Sequence, residues 1–186
     1  RTDSVLWQTE TITAFVDHDA VSLGSLSWED KHKEISRLEE SLRTSQALAR
    51  QDKQVKKTNC RLLYQLGFLY ASLNKQGEAL NHYQKVLKLA RALGDRAREA
   101  ATLNDIALID YACQDYERAC QHWKEALTIQ ERIRDQAEEA RTLNNIATIP
   151  YVRGEYAKAQ KYLEKALAIY RNIRNTKYQI GQGTTL

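Results

Sequence analysis

Methionine is absent from this sequence, proline occurs once, and the 186 residues hold seven glycines and three cysteines. No apolar run approaches the roughly 18 residues that a membrane-spanning helix needs, and no signal peptide is visible at the start. The glycines do not gather into a phosphate cradle. The GxxxxGK[ST], GxSxG and HExxH patterns are all missing, so no catalytic residue, metal ligand or cofactor is expected and the chain reads as a non-enzyme. Cys60, Cys113 and Cys120 are odd in number and lack paired CxxC spacing. They read as reduced thiols on or near packed helix faces in a cytoplasmic protein. The lack of Met together with Arg1 reads as a piece of a longer protein.

Charge is unevenly spread. Residues 1–52 carry 6 basic and 10 acidic side chains and residues 53–186 carry 22 and 14, giving −4 and +8. The excess tilts the expected partner of the second part toward acidic or polar surfaces. The cations are scattered among carboxylates, with no basic run interleaved with aromatics, so neither nucleic acid nor membrane is expected as a partner.

What the chain does have is a repeat. Residues 95–173 align with themselves, without a gap, at a period of 40. Leu103 meets Leu143, Asn104 meets Asn144, Ala107 meets Ala147, Ala119 meets Ala159 and Ala126 meets Ala166. A weaker copy lies one period upstream, with Leu63, Leu66, Gly67 and Ala79 in register. A fixed period of this size predicts stacked units, each unable to bury its apolar face alone.

Taken in order, residues 1–26 form an irregular leader or the end of a preceding domain. Asp17-His18-Asp19 within it reads as a solvated loop. Ser27-Trp28-Glu29-Asp30 resembles a capping box and opens a helix with Ile35, Leu38 and Leu42 on one face, so residues 27–52 are read as a capping helix. Residues 53–182 hold three units, at about 54–93, 94–133 and 134–173, plus a linker, and residues 183–186 read as the start of a truncated fourth. Each unit is two helices around a tight turn, at Asn74-Lys75, Gln114-Asp115 and Gly154-Glu155. The expected links between units are Gly94-Asp95, Arg134-Asp135 and Arg174-Asn175. Small residues, Gly67, Ala107 and Ala147 on first helices and Ala79, Ala119 and Ala159 on second ones, mark close crossings, with Tyr83 and Trp123 filling the space around them. Pro150 removes an amide donor inside a first helix and predicts a bent or early-ending helix. His82 and His122 share a register position and read as solvent-facing.

These residues resemble tetratricopeptide repeats, across residues 60–173. The 40-residue period departs from the common 34 and is similar to that of kinesin light chain, of polarity scaffolds and of bacterial signalling proteins. Tyr70, Asp110 and Pro150 share a position where the family prefers Tyr. The resemblance implies an all-α fold, a right-handed superhelical solenoid of antiparallel helix pairs, whose first helices line a concave groove.

By that register the groove positions are Arg61, Tyr64, Gln65, Phe68 and Ala71 in the first unit. They are Ala101, Asn104, Asp105, Leu108 and Tyr111 in the second, and Arg141, Asn144, Asn145, Thr148 and Tyr151 in the third. A column of carboxamides at Asn104 and Asn144 could bond the backbone of an extended peptide; the alternative is that they bond neighbouring helices. Tyr64, Phe68 and Asp105 stand where a chaperone-type carboxylate clamp would need other residues, so chaperone tails are not the expected ligand. The reading is a protein-interaction module that binds a peptide or protein segment, as scaffold or sensor in a larger signalling protein. Self-association, through the C-terminal end or by docking of the acidic leader, is the alternative, and the regulatory arm of a signalling NTPase is a third.

Overall fold

The computed structural model describes residues 23–47 and 52–183, with side chains to residue 174. The expectations for residues 1–22, for Leu48 to Gln51 and for Thr185-Leu186 fall outside the described residues. Seven helices occupy the rest: α1 Trp28–Ala47, α2 Lys53–Ser72, α3 Gln76–Leu93, α4 Arg96–Ala112, α5 Tyr116–Ile133, α6 Gln136–Val152 and α7 Tyr156–Gly183. Among the described residues there is no strand, so the fold is an all-α repeat fold. The chain divides into two compact units, residues 1–102 and 103–186, the division falling within α4.

In the first unit the capping box at the start of α1 forms. Ser27 Oγ accepts from the Asp30 amide at 3.2 Å and donates to the Asp30 carboxylate at 2.6 Å. Ile35 and Leu38 then bury against Leu23 and against Leu62, Leu66 and Leu69 of α2. The other face of α2, Cys60 and Leu63, packs on Val86 and Ala90 of α3. The crossing is close enough that a Cβ on Gly67 would lie 2.7 Å from the Tyr83 ring. That contact is why the smallest residue sits there. In the second unit Ala107, Ala119, Trp123, Ile146 and Ile149 form one buried cluster, and Ala140, Leu143 and Ala166 a second.

The three tight turns close alike. The amides of Lys75, Asp115 and Glu155 donate to the carbonyls of Tyr70, Asp110 and Pro150 at 2.9, 2.9 and 2.8 Å. Each turn places one residue in the left-handed region, Asn74, Gln114 and Gly154, with φ of 60°, 64° and 74°. Two of those three match the residue types that tolerate it, and Gln114 is the exception. Pro150 does not shorten its helix: α6 spans 17 residues, as does α4 one period earlier. The ring lies in the last turn of α6, and the Pro150 carbonyl accepts from the Glu155 amide as its counterparts do in the other two turns.

The links depart from expectation at the third place. Gly94 and Arg134 turn left-handed, with φ of 69° and 59°, and Asp95 and Asp135 then cap the next helices through the amides of Arg98 and Glu138 at 3.0 and 3.3 Å. At Arg174-Asn175 no link forms, because α7 continues without a break to Gly183. A left-handed arginine costs roughly 1–2 kcal/mol, which the Asp135 cap and the packing of α6 offset at Arg134. At Arg174 the backbone retains the helical hydrogen bonds instead.

Candidate functional site

The first-helix positions separate into buried and open ones. Asn104 is 1% exposed. Its Nδ2 donates to Thr142 Oγ1 at 2.9 Å, and that hydroxyl donates back to Asn104 Oδ1 at 3.1 Å. This reciprocal pair ties α4 to α6, which corrects the expectation of a carboxamide offered to a ligand. A buried amide must find a partner, and Thr142 lies nearest. Asn144, identical in register, is half-buried, as are Asn145 and Asp105. Leu108 is 47% exposed and Tyr151 62%. Thr148 is exposed too, its hydroxyl donating to the Asn145 carbonyl at 2.7 Å. Tyr111 is partly covered, with its ring 5.9 Å from Trp123 and 5.4 Å from Tyr116. Tyr151 meets Tyr156 edge-on at 5.6 Å. Of the expected groove positions in the second unit, the uncharged ones that stand open are thus Leu108, Thr148 and Tyr151, and Tyr111 is half-buried. Arg141 is exposed and hydrogen-bonded to Glu138, one turn away on α6.

In the first unit, Gln65 is buried. Phe68 is half-buried in the Leu23 cluster and so does not stand open in a groove; a Cβ on Gly24 would lie 3.4 Å from its ring. Tyr64 packs on Tyr83 at 5.7 Å and carries the Arg98 guanidinium 4.6 Å above its ring. Ala71 and Ala101 are half-buried.

The two histidines are not the solvent-facing residues expected. His82 stacks on Tyr70 with ring centres 5.3 Å apart and planes 9° from parallel. Burial, then the charge of Lys85, holds its pKa below the ordinary 6.5, against the opposing charge of Glu39. Tyr70 donates to Glu39 at 2.8 Å. Burial and this bond push its phenol up to about 12. His122 Nδ1 lies 2.7 Å from the buried carboxylate of Asp110. Both contacts join residues 12 apart across the turn of a unit. The shared spacing of Tyr70 with His82 and Asp110 with His122 was the signal that could have found them, since facing positions of a hairpin recur with the repeat.

Cys60 is buried, with its thiol 3.9 Å from the Val86 carbonyl. Burial pushes it up to about 11, only partly opposed by the charge of Arg98, so it packs as a small apolar residue. Among the described residues no three His, Cys, Asp or Glu side chains converge as a metal site.

Family models described as tetratricopeptide repeat match residues 98–172 and, separately, residues 61–93. The chain belongs to the tetratricopeptide repeat family. No curated protein matches it as a relative. Among solved structures it is similar to the apo form of RapI, at 17% identity and TM-score 0.69 over 81% of this chain and 53% of that one. It is also similar to aspartyl phosphate phosphatase F from Bacillus subtilis, at 16% and 0.73 over 96% and 43%. A third is BtubC (BKLC) from P. vanneervenii, at 18% and 0.59 over 92% and 90%. At such identities the likeness shows the fold. The chain spans 53% and 43% of the length of the first two.

One feature of the tetratricopeptide chain was not read from the sequence. In the first unit, Gln54, Lys57, Thr58, Arg61, Leu93, Asp95 and Arg98 line a cavity of about 350 Å³. The signal was present at one register position, where Thr58, Arg98 and Glu138 follow one another at the period. The charge reverses between two otherwise equivalent helices.

Proposed function

We propose that the chain binds a peptide or protein segment along its first helices and performs no chemistry of its own. The observation that carries this reading is the exposure of Leu108, Thr148 and Tyr151, one apolar, one hydroxylic and one aromatic, on first helices whose Ala107, Ile109, Ala147 and Ile149 are buried. Open aromatic and aliphatic side chains on the first helices suit the desolvated centre of a recognition surface. The three repeats, placed at 54–93, 94–133 and 134–173, act as scaffold or sensor within a larger cytoplasmic signalling protein. No helix among the described residues is long and apolar enough to cross a membrane.

The test is a peptide-library screen on the full chain, with Leu108→Ala/Tyr151→Ala as the matched variant. Selected peptides should lose about 10- to 100-fold in affinity for that variant, the scale of truncating two central contacts. Peptides indifferent to it would contradict the reading.

Self-association has one specific observation in its favour. On α7, Leu163, Leu167 and Tyr170 are each more than two-fifths exposed. Sedimentation that shifts with concentration, and stops shifting in Leu163→Lys/Leu167→Lys, would support this second reading.

A further inference from the structure

His82 and His122 occupy the same register position and face different partners. His122 Nδ1 lies 2.7 Å from the carboxylate of Asp110, a group able to accept the proton of a charged imidazole. In the first unit Tyr70 takes the place of Asp110, and its hydroxyl is already donated across to Glu39 of α1 at 2.8 Å. We propose that Glu39, Tyr70 and His82 form an acid-sensitive latch on α1, in which charging of His82 favours release of α1 from α2 and so opens the apolar seat of Leu62, Leu66 and Leu69. None of these residues is among the groove positions, so the latch is independent of the groove reading.

The first ground is the geometry of the ring. His82 lies on Tyr70 with ring centres 5.3 Å apart and planes 9° from parallel. The N–H bonds of an imidazole lie in its own plane, so a ring stacked this way does not direct them at the phenol oxygen. Its Nδ1 is buried and has no hydrogen-bond partner among the described residues. A neutral imidazole loses little there, whereas a charged one carries two donors and a desolvated charge.

The second ground is charge. Lys85, on α3 itself, opposes a positive charge at His82, and the Glu39 carboxylate of α1 favours it. Lys75, in the turn after α2, stands 5.8 Å from the centre of the Tyr70 ring, and the charge of Glu78 on α3 acts on the same phenol. Burial is the largest effect on His82, and together with Lys85 it outweighs Glu39. The closed arrangement therefore holds the His82 proton less readily than an opened one. The closed form keeps its full stability above the ordinary 6.5 and loses it as pH falls from there toward the lowered value.

The third ground is the position of α1. Tyr70 borders the cluster in which Leu23, Ile35 and Leu38 pack on Leu62, Leu66 and Leu69. Glu39 follows Leu38 directly in α1, so freeing the α1 side of the Tyr70–His82 pair lifts the stretch that carries Leu38. Once released, a lone helix of 20 residues is marginal in water, and its amides exchange.

The experiment is hydrogen exchange of the full chain, read amide by amide by NMR and corrected for the intrinsic pH dependence of exchange. Between about pH 7.5 and about pH 5.5, a range above that of ordinary carboxylates, opening of α1 should rise by up to about tenfold, the linkage of one imidazole that charges only in the opened form. The amides of α3 should keep their protection. His82→Phe retains a stacked ring that cannot charge and should abolish the response. His32→Gln removes the other histidine near α1, on the helix itself, and should leave the response in place. Equal α1 protection at the two pH values, a response that survives in His82→Phe, or equal acceleration of α1 and α3 overturns the latch. If His82→Phe does not fold, the native chain still decides. Its His82 ring signals should titrate below the ordinary 6.5, and a midpoint at or above that value removes the drive and overturns the latch.

Discussion

The α2–α3 pair and the α6–α7 pair are written in the same register, yet the same positions do different work in them. Tyr83 on α3 is buried, whereas Leu163, its equivalent on α7, is 46% exposed. Tyr64 on α2 supports an arginine, while its equivalent on α6 is the half-buried Asn144. The small positions do not change, since Gly67, Ala147, Ala79 and Ala159 are buried in both pairs. Close helix crossing is therefore the invariant, and everything around it is free to serve packing, cohesion or recognition.

Substitutions at matched positions sharpen that comparison, beginning with the largest effect. Trp123→Ala should cost about 3–5 kcal/mol, because a fully buried indole leaves a cavity. Leu163→Ala, one period on, should cost less than about 0.5 kcal/mol. Equal losses in thermal unfolding would break the contrast. Next, Asn104→Ala should cost about 1–3 kcal/mol by leaving Thr142 buried without its partner, and Asn144→Ala should be nearly neutral. Urea unfolding of the two variants side by side decides it.

Gly67→Ala follows. Alanine gains about 1 kcal/mol of helix propensity, but its methyl would sit 2.7 Å from a buried ring. Overpacking of this kind costs roughly 1–3 kcal/mol, so a net loss of about 1 kcal/mol is expected. A stabilised variant would show that Tyr83 yields.

The smallest effect is on acid stability. Burial alone would raise the Glu99 carboxyl, but hydrogen bonds from Arg91 at 2.8 Å and Arg96 at 2.6 Å outweigh it and hold its pKa below the ordinary 4.5. The folded state then binds this proton less readily than the unfolded one. Its stabilisation is complete above the ordinary value and is lost as pH falls through the lowered one. Both arginines are largely exposed, which limits the contribution to about 1 kcal/mol or less. Glu99→Gln should flatten the stability profile on the acid side only, as read from unfolding midpoints along a pH series.

The fold was legible wherever sequence identity and geometry coincide. A residue without a side chain or with a single methyl can only mean close approach at a fixed period, so the crossings at Gly67, Ala107 and Ala119 were readable. The links at Gly94-Asp95 and Arg134-Asp135 were readable as well, although the caps that Asp95 and Asp135 form on the next helices came only with the structure. Polar contacts between helices were not readable. Asn104 and Asn144 are the same amino acid in the same frame, and only the position of Thr142 decides that the first is a structural clasp. Arg134 turns left-handed and Arg174 does not, with no difference in residue type to announce it. The basic cavity was hidden for a related reason: Arg98 reads as one scattered cation until Tyr64 and Lys57 are seen beside it.

The central claim is that the open first-helix residues of the second unit are the recognition surface. The most direct test is the amide shift map of a library-selected peptide bound to the full chain. The account predicts the largest changes at Leu108, Tyr111, Thr148 and Tyr151, with Asn104 protected throughout. Changes concentrated instead on α7, around Leu163, Leu167 and Tyr170, would contradict it.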